Sequence, residues 1–190
     1  SPTNGKITLD LLKEQDNARH PYPKSESEMT YLSVDRYWFW KLDYLLWENF
    51  TTNNKKFSFN NNEAINKLTP EETEAILNYK FRHNRSIEHL HPQTDGDKSE
   101  WKDAKHQFGN LAMISSSFNS LQQNDSVGVK FARLQETQIP NKSLESIKLL
   151  LMFKLADGKE DGWTTGIAEA HGKAMYEFLR AKPAEMTQAK

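Results

Sequence analysis

Glu88 and His89 stand side by side in the run Ser86-Ile87-Glu88-His89-Leu90-His91-Pro92-Gln93. Two asparagines follow: Asn110, within Gly109-Asn110-Leu111, and Asn119 nine positions later. These residue types suit metal-assisted hydrolysis of a phosphodiester, which needs a deprotonated water, a cation on the phosphate and help for the leaving oxygen. A neutral imidazole near pH 7 can accept the water's proton. A hard cation such as Mg²⁺ prefers oxygen ligands, and Glu88 and Asn119 both offer them. Taken singly, each residue has a plainer reading. A Glu-His pair is common on solvated surfaces, Asn110 after Gly109 suits a turn, and Asn119 suits a helix cap. Their joint order and spacing set them apart.

That layout resembles the HNH (ββα-metal) nucleases, whose pattern runs D/E-H-I-x-P, then N-L, then a final H or N. The resemblance implies that His89 is the general base and Glu88 the first metal ligand. It implies Asn119 as the second ligand, and Asn110 as the residue that steadies the loop and orients His89. A closer resemblance is to the C-terminal HNH domain of GmrSD-type modification-dependent restriction and phage-defence enzymes. It rests on Trp38-Phe39-Trp40-Lys41-Leu42, on Ile87 to Gln93, on His106-Gln107-Phe108-Gly109-Asn110-Leu111, on Asn119 with the Asn124 to Lys130 segment, and on a terminal helix with Trp163. It implies an endonuclease domain using Mg²⁺ or Mn²⁺ to nick or cleave DNA, including modified or phage DNA. It further implies a larger protein, with an N-terminal nucleotide-hydrolysing sensor domain as partner. An RNase using the same site, or a noncatalytic module that binds DNA or a partner through its aromatic helices, remains an alternative.

Two positions depart from the commonest pattern: Glu88 replaces Asp, and His91 replaces an aliphatic residue. His91 lies two residues from His89, so on a continuing strand both would face one side. It is a candidate third ligand, a phosphate contact or a polar loop residue. His106 is a candidate contact to DNA or to Asn110, with a structural hydrogen bond the favoured reading. Lys80, Arg82, His83 and Arg85 before the site, and Lys98, Lys102 and Lys105 after it, could hold a phosphate backbone or form a solvated face. Arg82, Arg85, Lys105 and Lys130 are the candidate backbone contacts.

Composition narrows the classes. The 190 residues suit one domain with a real core. There is no cysteine, which excludes disulfides and a thiolate zinc site. The net charge of −1, with a pI of about 6.6, argues against strong independent DNA binding and fits a catalytic module delivered by something else. No apolar run approaches the ~20 residues that span a bilayer, and the start does not read as a signal peptide, so no membrane association and a cytoplasmic location are expected.

The elements that must position these residues follow from periodicity and breakers. Ile7 to Arg19 reads as an amphipathic helix, broken by His20-Pro21-Tyr22-Pro23. Leu32 to Phe50 reads as an aromatic-rich helix, more a core element than an aromatic cage. Thr51 to Asn66 reads as a loop with one short strand, and Thr69-Pro70-Glu71-Glu72 as a capped helix start. Tyr79 to His89 and Phe108 to Ser115 are the two expected strands, with Trp101 anchoring the loop between them. A short helix at Phe118 to Gln123 completes β-β-α. Helices follow at Val127 to Gln135, Leu144 to Ala156 and Trp163 to Ala181. The predicted fold is a mostly helical α+β domain with a ββα element embedded in it. The expected division is an N-terminal helical segment (1–68), a nuclease core (69–137) and a C-terminal helical segment (138–190). Adjacent strand residues point to opposite faces, so Glu88 and His89 can converge only where the strand ends, as Pro92 suggests it does.

Overall fold

In the computed structural model, residues 15–16, 18–19, 22–59, 62–82, 86–93, 100–115 and 125–181 are described. The fold is mostly helical α+β. Helix α1 (Tyr37–Thr52) runs through the middle of the core and buries Trp38, Phe39, Leu42, Leu46 and Phe50. Its aromatic residues are therefore core packing. It starts at Tyr37, later than the expected Leu32, because Thr30 to Ser33 forms a turn of its own and the Asp35 carboxylate accepts the Tyr37 N–H at 2.9 Å. Of the expected first helix, only Gln15, Asp16, Ala18 and Arg19 are described, and they are helical.

Helix α2 (Pro70–Leu77) begins at the predicted capping box. The Thr69 hydroxyl accepts the Glu72 N–H, and the Glu72 carboxylate accepts the Thr69 N–H. Among the described residues, the Asn-rich stretch before it holds a 3₁₀ turn (Glu63–Asn66) and no strand. The Asn66 amide takes the place of a strand partner, bonding both the N–H and the C=O of Phe57.

Strands β1 (Ser86–His89) and β2 (Leu111–Ile114) pair antiparallel, with Ser86 opposite Ile114 and His89 opposite Leu111. Both are shorter than expected. Tyr79 and Phe81 lie in an aromatic cluster with Trp47 and Tyr44, not in the sheet. Phe108–Asn110 closes into a 3₁₀ turn. The expected helix at Phe118 to Gln123 lies outside the described residues, so a complete ββα unit is not visible. Helix α3 (Val127–Arg133) runs on into a π-helical turn (Leu134–Gln138). Helices α4 (Ile147–Leu155) and α5 (Thr165–Arg180) follow, and one hydrophobic core draws on residues from Met29 to Leu179.

The turn at Phe108–Asn110 packs directly on α5. A Cβ placed on Gly109 would lie 1.8 Å from the Ala168 carbonyl oxygen, and one on Gly172 would lie 2.9 Å from the Gly109 nitrogen. The helix reaches the turn only because both positions lack a side chain.

Two buried polar groups lie close to this contact. The Lys148 ammonium donates to the carbonyls of Phe108, Gly109 and Leu111 at 3.0, 3.3 and 2.6 Å. Burial pushes its pKa down to about 7, against the pull of Asp43 and Glu26. Asp43 accepts from Ser146 Oγ and Lys148 N–H and so caps the start of α4. Burial raises its pKa to about 6.

His171 is buried on α5, and neither ring nitrogen finds a hydrogen-bond partner among the described residues. Burial holds its pKa well below the ordinary value of 6.5. As pH falls below about 6.5, the unfolded chain binds a proton there that the folded chain refuses, so stability is lost toward acid. The loss is about 1.4 kcal/mol per pH unit for each such proton. His171→Leu also removes two unpaired buried nitrogens. Thermal melts from pH 7 to pH 5 should show a shallower decline in Tm for His171→Leu than for the wild type; equal slopes would remove His171 as the cause.

Candidate active site

Glu88 and His89 are the last two residues of β1, and both are buried. Past His89 the chain leaves strand geometry, and the Leu90 N–H continues to the Asn110 carbonyl at 2.9 Å. What fixes the exit is the Asn110 side chain, which is completely buried. Its Oδ1 accepts from the His91 N–H at 2.9 Å and from the Trp163 indole N–H at 3.0 Å. Its Nδ2 donates to the carbonyls of His91 at 3.1 Å and Lys105 at 2.9 Å. Two acceptor and two donor sites are the full capacity of an amide. Asn110 thus joins the chain after β1, the chain before β2 and helix α5's leading loop.

The His89 ring is engaged at both nitrogens. Gln93 Nε2 lies 2.8 Å from Nδ1, and His106 Nδ1 lies 3.1 Å from Nε2. The assignment consistent with an amide donor is a neutral ring with its lone pair at Nδ1 and its N–H at Nε2. The Tyr31 ring packs on it with centroids 4.4 Å apart. Burial, with His106, Lys130 and Lys105 nearby, lowers the His89 pKa to about 3. The ring is neutral at physiological pH.

Glu88 faces Lys130, with Oε1 2.6 Å from the ammonium. Burial raises the Glu88 pKa and Lys130 opposes the rise. Oε2 makes no hydrogen bond among the described residues. Among those residues no group of three His, Asp or Glu side chains gathers to hold a metal. Asn119 lies outside the described residues.

The other candidates are placed as follows. His91 stacks flat on Trp101, with centroids 4.3 Å apart and planes 7° from parallel, so it belongs to the anchor of the loop. His106 makes a structural hydrogen bond, as favoured, and its partner is the His89 ring. Lys105 and Lys130, candidate backbone contacts in the sequence, are both buried. The Lys105 ammonium donates to the Gln93 carbonyl at 3.2 Å. Arg82 pairs with Glu145 at 3.6 Å and stays partly exposed. Arg85, His83 and Lys98 lie outside the described residues. Tyr31 and Lys148 had no signal in the sequence, being distant from the motif. Gln93 stood in the motif, four residues after His89, without a role.

A small antiparallel pair thus ends in a buried Glu-His within a helical frame. A family model described as GmrSD restriction endonucleases, C-terminal domain, matches residues 22–178, and the chain belongs to that family. No curated protein and no solved structure matches significantly. No described helix is long and apolar enough to cross a membrane.

Removing the Asn110 amide leaves four buried main-chain and indole groups without their partner. Asn110→Ala should cost about 3–5 kcal/mol of stability. Asn110→Asp should not recover it, because a carboxylate oxygen would face the His91 and Lys105 carbonyls. Urea unfolding of the two variants checks this, and a loss below about 1 kcal/mol would refute the clip.

Proposed function

We propose that this domain is an HNH-type, divalent-metal-dependent endonuclease that nicks or cleaves DNA, the effector part of a larger restriction or phage-defence protein. The observation that carries the reading is the Asn110 clip. It holds the turn after His89 by both its N–H and C=O groups, which suits an asparagine that orients a catalytic histidine.

In this reading His89 accepts the proton of the attacking water at Nδ1, where water takes the place of the Gln93 amide. Nε2–H stays on His106, which fixes the tautomer. An imidazole with so low a pKa is a weak base, but an approaching phosphate brings negative charge and raises it. Glu88 through Oε2, together with Asn119, would hold the cation; both are oxygen donors that suit Mg²⁺ or Mn²⁺. Bound there, a hard cation would polarise the scissile phosphate and stabilise the leaving oxygen. With Lys130 compensating Glu88, affinity for the cation should be modest until phosphate adds its own oxygens. Near-neutral net charge supports delivery to DNA by another part of the protein.

The test is nicking of supercoiled plasmid with Mg²⁺, Mn²⁺ or EDTA, comparing the wild type with His89→Ala, and with an RNA substrate in parallel. Metal-dependent nicking should fall at least 100-fold in His89→Ala. Equal activity in EDTA, or an undiminished variant, would sink the mechanism. Cleavage of RNA alone would replace the substrate.

A further inference from the structure

We propose that Lys130 is a positioning residue for the Glu88–His89 pair and does not touch nucleic acid; the proposal rests on the nuclease reading above. Neighbours on a strand diverge, and this pair must serve one phosphate. The divergence is resolved at the end of β1, and Lys130 is what sits there. Its ammonium lies 2.6 Å from Glu88 Oε1, 2.5 Å from the His89 carbonyl and 3.3 Å from the Leu90 carbonyl. An ammonium has three N–H donors, and these three acceptors use them all. With 3 % of the residue exposed, no donor is left for a phosphate oxygen.

The lysine is held from behind as well. Ser126 caps α3, and the Lys130 N–H returns to the Ser126 carbonyl at 3.2 Å. Phe131, next in sequence, packs edge-on against Phe153. The ammonium is thereby carried on a fixed helix end to the point where β1 stops. It orients the Glu88 carboxylate through one oxygen and ties down the two carbonyls that flank the His89 turn. A surface lysine would add affinity for any phosphate chain. A buried one shapes the site instead.

The two roles separate in measurement. Lys130→Met should lower kcat for plasmid nicking at least 10-fold while tightening Mn²⁺ binding by calorimetry, because the ammonium that competes for Glu88 is gone. KM and the salt dependence of binding should stay unchanged. A raised KM with a smaller salt slope, and with kcat intact, would overturn the proposal and make Lys130 a phosphate contact. If Lys130→Met does not fold, amine acetylation of the wild-type chain read by mass spectrometry decides. Lys130 and the equally buried Lys148 should both resist acetic anhydride, with or without a DNA duplex, while Lys102 and Lys159 react. Reaction at Lys130 that DNA suppresses would overturn the proposal. A wild type that binds Mn²⁺ and protects Lys130 but cleaves nothing would count against the nuclease reading, not against the placement of the lysine.

Discussion

One buried side-chain amide carries the geometry of this site. Asn110 spends all four of its hydrogen bonds on other parts of the chain, and in doing so sets where β1 ends, where β2 begins and where Trp163 docks. A four-residue strand pair is too short to fix the direction of two side chains by its ladder alone. The Asn110 bonds, with Lys130 and Lys148 on neighbouring carbonyls, make the hairpin rigid where chemistry would occur. Buried polar groups of this kind are costly unless fully paired, and here the pairing is nearly complete.

Charge follows the same logic. Lys130 and Lys148 each place an ammonium among main-chain oxygens with almost no exposure. A buried charge is tolerated when its donors are satisfied and a carboxylate is near, and Glu88 and Asp43 answer that need. Burial, aided by His106, Lys130 and Lys105, keeps His89 neutral. Organisation of the backbone and tuning of the imidazole thus come from the same few residues.

Much of this was legible in the sequence. The capping box at Thr69, the aromatic core helix, the paired strands around the two motifs and the role of Trp101 as an anchor all follow from local patterns. The Glu88–His89 and Asn110 positions were marked by their spacing. What was not legible depends on contacts remote in sequence. The burial of Lys105 and Lys130 could not be read from local pattern, because lysine rarely buries its ammonium and only tertiary carbonyls make an exception possible. Tyr79 and Phe81 carried strand-like alternation, but α1 offered them aromatic partners and the sheet offered none. Phe108 to Asn110 read as strand until the approach of α5 through Gly109 and Gly172 required a tight turn.

The Trp163–Asn110 bond spans 53 residues, and the Lys130 and Lys148 bonds span about 40 each. Every one of these partners lies C-terminal to Glu88 and His89. Chains emerge from the ribosome N-terminal end first, and domains fold largely as whole units. The Glu88–His89 motif is therefore made well before the residues that shape it. Until α5 has been synthesised and docked, the Asn110 amide lacks its indole and the hairpin lacks its support. The order of synthesis itself keeps the site unassembled until the domain is complete.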